Sequence, residues 1–317
     1  MSSGRMSGST TSFEVSVPAS SANLGPGFDA IGLALELRVH AFVKPADALE
    51  IVFDTTRFRP TNMGFADEII RGIRAVLGPD TEPRVRIRIH NLIPLGKGLG
   101  ASAAGAVLGL TIGARLASEP PSLERLAQLA CELEGHPDNA LPALLGGIVV
   151  AAQPASGPPA YVRIAPIAGL RAVVVTPQIV LPTAAARSLL PQHYDRADVV
   201  FNIQRAALLA ASLASGDLQS LKLATEDRIH QPYRAPLVPG FSEMLGFTGD
   251  GILAIALSGA GPSVIALVRD GGEDAGAAMC AAFAREGIKS EAFVLDIATV
   301  GASVFPLPER TAEKISN

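Results

Sequence analysis

Residues 94–104, PLGKGLGASAA, constrain the fold of this chain more than any other segment. Ahead of them Val85, Ile87 and Ile89 alternate with Arg86, Arg88 and His90, the period of two of a half-exposed strand that ends at Asn91. Behind them residues 103–116, rich in Ala and Leu, predict a helix. The order is strand, glycine loop, helix. Gly96, Gly98 and Gly100 let backbone N–H groups turn toward one point where the helix begins, and the helix N-terminus adds partial positive charge. Such a loop is an anion cradle whose natural guest is phosphate; a turn selected only for tight strand-to-helix packing gives the same pattern. The spacing is G-x-G-x-G, neither the Walker form nor the dinucleotide form. Ser102, the only hydroxyl of the loop, either caps the helix or ligates the magnesium of a bound nucleotide. Lys97 either reaches a phosphate as a point charge or is simply solvated.

Further polar residues stand where helices end. Ser122 is a candidate cap for a helix over 123–134 with an apolar stripe at 123, 126, 127, 129, 130 and 133. Glu134 closes that helix, where its charge opposes the dipole; it either has a cation partner or is a solvated surface acid. His136, Asp138 and Asn139 cluster around Pro137, as hydrogen-bonding groups for a small polar ligand or as turn caps, and not with metal-ligand spacing. Asn23 and Asp29 flank a Gly25, Pro26, Gly27 turn and suit the same two roles. Arg187 and Arg234 are candidates for bidentate carboxylate recognition, although a lone arginine is commonly a surface residue.

Charge and hydropathy remove whole classes of function. With 26 Lys plus Arg against 30 Asp plus Glu the formal charge is -4, without the basic excess of a duplex-binding surface, so nucleic acid is not expected as a partner. The mean hydropathy of +0.33 raises the question of a membrane span. Its longest candidate, residues 252–268, carries Ser258, Gly259, Gly261, Pro262 and Ser263 at its centre and reads as two strands around a turn. No membrane association is expected. Cys131 and Cys280 match neither a disulfide framework nor a metal site, which suits a reducing cytoplasm. Residues 1–12 read as a disordered lead-in, neither signal peptide nor anchor.

A chain of 317 residues accommodates two domains at roughly 100–200 residues each. A boundary near residue 168 divides 13–168 from 169–317. In the first part, strands over 13–17 and 33–43 are joined by a long ordered loop of small residues over 18–28. In the second, residues 170–176, 252–258, 264–268 and a final 292–295 read as strands, and 197–215, 218–226 and 273–286 as helices.

Three segments taken in order, PASSANLGPGFD at 18–29, PLGKGLGASAA at 94–104 and LSGAGPS at 257–263, resemble the three motifs of the GHMP small-molecule kinases. LEGHPDN at 133–139, TAAAR at 183–187 and DRIHQPYR at 227–234 are similar to the homoserine-phosphorylating branch of that family. The resemblance spans roughly residues 13–300. It implies an α+β fold: an N-terminal ATP-binding domain with a mainly antiparallel sheet, a C-terminal ferredoxin-like domain, and an active site in the cleft between them. It also implies phosphoryl transfer from MgATP to the side-chain hydroxyl of L-homoserine, on the way to threonine. Pro94, Leu95, Gly96, Lys97, Gly98, Leu99, Gly100, Ala101, Ser102, Ala103 and Ala104 would wrap the phosphates, Ser102 and Glu134 would hold magnesium, and Asn62 would line the nucleotide pocket. Asn23, Asp29, His136, Asp138, Arg187 and Arg234 would surround the amino acid. Asn139 occupies the place of an Asp in other branches and cannot accept a proton, so Asp29, the phosphate itself or a water is left to take it. A single hydroxyl at Ala101-Ser102, where the family has two, and an atypical 55–65 segment are the departures. Another small hydroxyl acceptor, such as mevalonate or shikimate, and a non-catalytic sensor on the same fold are the competing readings. A homodimer is the default assembly.

Overall fold

The computed structural model describes residues 11–54, 64–181, 183–249 and 251–307. Asn62 and residues 1–10 of the expected lead-in lie outside the described residues. The first half contains β1 (Phe13–Asn23), β2 (Gly27–Pro45), β3 (Glu50–Phe53), α1 (Gly64–Leu77), β4 (Val85–Asn91), α2 (Ala101–Leu116), α3 (Leu123–Glu134), α4 (Pro137–Leu145), β5 (Ile148–Ala152) and β6 (Ala160–Ile164). In β4 the valine and isoleucines are buried and the arginines and histidine half-buried, as the alternation predicts. Ser122 caps α3 by accepting the Arg125 N–H at 3.2 Å.

The expected long loop over 18–28 is instead a hairpin. β1 continues to Asn23, β2 begins at Gly27, and Ala19, Ser20, Ser21 and Ala22 pair with Leu35, Ala34, Leu33 and Gly32. Its composition misleads because both faces of β1 are covered here, with α2 and α4 packing on it, and only small side chains fit beneath them.

The second half contains β7 (Leu170–Pro177), α5 (Thr183–Ser188), α6 (Arg196–Ser215), α7 (Leu221–Ala224), α8 (Gln231–Arg234), α9 (Phe241–Met244), β8 (Ile252–Leu257), β9 (Val264–Arg269), α10 (Glu273–Arg285), β10 (Ser290–Asp296) and β11 (Ser303–Pro306). Its four-stranded sheet has the order β10-β7-β9-β8, all antiparallel. With α6 between β7 and β8 and α10 between β9 and β10, this is the ferredoxin-like arrangement. The helix expected over 218–226 shrinks to the four residues of α7, because Asp227 draws the chain out of helix: its carboxylate accepts the N–H groups of Ile229, His230 and Gln231. β10 is not the final strand. β11 returns to pair antiparallel with β1 in the first sheet, whose order is β11-β1-β2-β4-β3, with β5 joined to β2 and β6 to β5; only β3 with β4 is parallel.

The near-continuous apolar run of β7 follows from burial on both faces. Ala172 and Val174 join Ile265, Leu267 and the α6 residues Leu209 and Leu213 in one core with β1, β2 and α2. Val173 and Val175 pack into a second core with Met279 and Phe283 of α10. Helix α6 has the length and hydropathy of a membrane span, yet its polar side chains are tied to the segment beside it: Asp198 to Arg228, Arg205 to Glu226 and Asn202 to Asp227.

Candidate active site

Residues distant in sequence are brought together along one seam. From the first hairpin, Ser21 Oγ lies 2.8 Å from Ser258 Oγ, the Asn23 amide donates to Gly259 O at 2.8 Å, and Ala22 O accepts the Gly259 N–H. From the glycine loop, Gly98 O accepts Ser258 Oγ at 2.6 Å. The three segments at 18–29, 94–104 and 257–263 thus form one hydrogen-bonded unit, whose third member the sequence reading left without a role.

The glycines of the loop answer the question their pattern left open. A Cβ on Gly98 would lie 2.2 Å from Ser258 O, and one on Gly100 would lie 1.9 Å from Ser20 Oγ, so both are needed for close packing. A Cβ on Gly96 would meet nothing within 4 Å, so that residue borders open space. All three have positive φ. The cradle follows from the packing: Gly100 precedes α2, the first intrahelical bond runs from Ala104 N–H to Gly100 O, and no side chain caps the helix. The N–H groups of Ala101, Ser102 and Ala103 therefore have no intrahelical acceptor.

These elements enclose a cavity of about 140 Å³ lined by residues 96–102 and by Asn23, Phe28, Asp29, Glu134, His136, Asp138, Asn139, Arg187, Arg234, Gly259 and Ala260. Every expected acceptor-binding and metal residue lines it. Pro94, Leu95, Ala103 and Ala104 do not; the first and the last two are buried and Leu95 is half-buried. The half-buried Lys97 lines the cavity, and its ammonium is tied to the end of β7. It donates to Pro177 O at 2.9 Å and Ile179 O at 2.5 Å, and burial presses its pKa below the ordinary lysine range. Phe28, Gly259 and Ala260 were not singled out from sequence; their signal lay in the first and third motifs.

At one part of the cavity sits Glu134. Its carboxylate is largely buried, Ser102 hydrogen-bonds it, and its nearest cationic neighbour is the His136 ring at 3.9 Å. Burial pushes its pKa up to about 7, against the charge of His136 and the Ser102 hydrogen bond. His136 Nδ1 lies 2.6 Å from Asp138 Oδ1. Burial opposes the imidazolium, but Asp138, Glu134 and Asp29 together raise the His136 pKa. Asp138 and Asn139 occupy the first turn of α4, where the dipole favours the acid. Asn139 Oδ1 accepts Ser20 Oγ at 2.8 Å, so it is held by a residue of the first hairpin. Ligand atoms of Asp29, His136 and Asp138 lie within 4.8 Å of one another, a proximity that sequence spacing could not reveal.

Elsewhere in the cavity the two arginines expected at a carboxylate are held in different ways. Arg187 spends its fork on Asp29, with Nη1 to Oδ2 at 2.9 Å and Nη2 to Oδ1 at 2.7 Å. Arg234, 1% exposed, meets only neutral groups: Ala186 O at 3.3 Å, Gly259 O at 3.4 Å and His230 Nδ1 at 3.2 Å. Among the described residues its Nη2 has no hydrogen-bond partner and no carboxylate is within ion-pair distance. Burial and the neighbouring Arg187 press its pKa down. A larger cavity, about 690 Å³, opens on the other face of residues 225–235, but Glu226, Asp227 and Arg228 there are already paired.

A buried acid short of a cation and a buried cation short of an anion share one small cavity, beside uncapped N–H groups. Such a site suits a divalent ion with phosphate on one side and a carboxylate on the other.

Comparison with known proteins gives the family. The model for the GHMP kinases N terminal domain matches residues 65–147, and that for GHMP kinases C terminal matches residues 209–285. The chain is 43% identical over 278 residues to a homoserine kinase of Solibacter usitatus, covering 84% of this chain and 89% of that protein. It is 41% identical over 280 residues to a homoserine kinase of Moorella thermoacetica, covering 87% and 94%. The crystal structure of homoserine kinase from Cytophaga hutchinsonii superposes with a TM-score of 0.78 at 27% identity, over 93% of this chain and 98% of that one.

Proposed function

The chain belongs to the homoserine kinases of the GHMP kinase family, and on that premise we propose that it transfers the γ-phosphoryl group of MgATP to the side-chain hydroxyl of L-homoserine, forming O-phospho-L-homoserine. The observation that carries this reading is Arg234, a buried guanidinium with neutral partners and a free Nη2 in the same cavity as Glu134. A zwitterion with a carboxylate and a hydroxyl fits such a cavity; a neutral sugar leaves the arginine uncompensated.

The N–H groups at the start of α2 would bind phosphate oxygens, and Ser102 and Glu134 would hold Mg²⁺. An oxygen-only pair containing one carboxylate is a usual protein share of a magnesium site. Bound there, MgATP would supply an electrophilic phosphorus, with the negative charge of its phosphoryl oxygens offset by the metal and the helix N-terminus. Arg234 would take the homoserine carboxylate through Nη2. Asp138, oriented by His136, and Asp29, oriented by Arg187 and Asn23, would hold the ammonium. The Asn139 amide can orient the hydroxyl or a phosphate oxygen but not take the proton. Both Asp29 oxygens are held by Arg187, so Asp29 acts in orientation, and the hydroxyl proton passes to the phosphate, as a loose transition state permits. The cytoplasm is the proposed location, where Cys131 and Cys280, which form no disulfide, stay reduced.

The test is ADP release from MgATP with L-homoserine, mevalonate, shikimate, galactose or no acceptor. Turnover stimulated by homoserine and abolished in Ser102→Ala with Glu134→Ala is expected. Stimulation by another acceptor would reassign the substrate, and ATP binding without any stimulated turnover would favour a sensor.

A further inference from the structure

His230 is fully buried and touches three parts of the site at once. Its Nδ1 faces Arg234 Nη1 at 3.2 Å. A guanidinium only donates, so Nδ1 must be the bare acceptor nitrogen. Its Nε2 lies 2.7 Å from Gly25 O. A carbonyl only accepts, so Nε2 must carry the hydrogen. The two partners together fix one neutral tautomer. The ring also stacks on Phe28, centroids 5.2 Å apart at 30°, and Phe28 lines the cavity beneath both arginines. The carbonyl it grips belongs to the β1–β2 turn, where a Cβ on Gly25 would lie 2.1 Å from Thr225 O, so no slack separates turn and segment.

We propose that His230 is a positioning residue which, only as the Nε2–H imidazole, locks Arg234 so that Nη2 faces the homoserine carboxylate. The inference rests on the reading of Arg234 as the carboxylate ligand. Of the three neutral groups that hold the guanidinium, His230 alone can change state. A proton on Nδ1 would point at Arg234, converting an acceptor into a second cation, and would release the arginine. The charged groups facing the ring are Asp227 on its own segment, 3.6 Å from Nε2, Arg234 on α8 and Asp29 from β2. Burial holds the imidazole pKa below its ordinary value, so the locked form prevails at neutral pH.

His230→Gln and His230→Asn separate the two contacts. The Gln amide reaches the Nε2 position and keeps Gly25; the Asn oxygen reaches the Nδ1 position and keeps Arg234. With the full chain, His230→Gln is expected to raise the KM for homoserine about tenfold, the worth of one hydrogen bond to a charged group, and to leave the KM for ATP within about twofold. His230→Asn is expected to restore the homoserine KM. In the wild type kcat/KM for homoserine should fall on the acid side, through a limb below the ordinary imidazole range that His230→Asn lacks. An unchanged homoserine KM in His230→Gln, or equal rises in both KM values, would overturn the inference. So would ¹⁵N shifts showing His230 protonated on Nδ1, whatever the acceptor. Absence of homoserine turnover by the wild type would instead overturn the functional reading, and this inference with it.

Discussion

Glu134 sits in an environment far from that of a surface side chain. Its carboxyl pKa is about 7 in the folded chain against 4.5 in an exposed one, so the folded state holds the extra proton between those values. The associated stability is fully present below about pH 4.5 and is lost as the pH rises through 7, where the buried carboxylate costs about 2–3 kcal/mol. Glu134→Gln, always neutral, should therefore be more stable than the wild type by about that much at pH 8 without magnesium nucleotide. The gap should close near pH 4.5, and denaturant melts at the two pH values measure it. MgATP should narrow the gap at pH 8 by favouring the ionised form. Asp29→Asn is expected to raise the KM for homoserine more than it lowers kcat, because the carboxylate orients. A large fall in kcat at unchanged KM would make Asp29 the base. Sequence indicated which side chains meet here. It could not indicate that Arg187 is already paired with Asp29, since that contact spans β2 and α5.

At the scale of elements, the strand, glycine loop and helix were legible because each obeys a local period or a local backbone need. The division of labour among the glycines was not, since it depends on which chain lies opposite. Gly98→Ala drives a Cβ into the Ser258 carbonyl at positive φ and should cost on the order of 2–4 kcal/mol with loss of activity. Gly96→Ala faces open space and should cost only the about 1–2 kcal/mol of a left-handed alanine. Thermal melts of the two variants compare them directly; equal losses would mean that the loop does not dock on 257–263 as described. Residues 18–28 have the composition of a loop but form a hairpin for the converse reason. Small residues signal turns when exposed, and close cover when buried.

The whole molecule is held together by contacts that no local pattern encodes. One core runs from β1 and α2 through to β7, β9 and α6, and β11 returns from the second half to the edge of β1. Lys97 pins the glycine loop to the end of β7 through two carbonyls. Lys97→Met should lower stability by about 1–2 kcal/mol and Tm by a few degrees, while changing the KM for ATP little. A large rise in that KM would return the ammonium to the phosphates. The ferredoxin-like order was expected only through family resemblance, because strand order is set by which apolar faces meet across the core. The central claim, phosphoryl transfer to the hydroxyl of an amino acid held by its carboxylate, is tested most directly by ³¹P NMR of the protein with MgATP and L-homoserine. The expected result is a phosphate monoester signal split by two methylene protons, growing as ADP appears. Inorganic phosphate alone, or an acyl phosphate on the carboxylate, would contradict it.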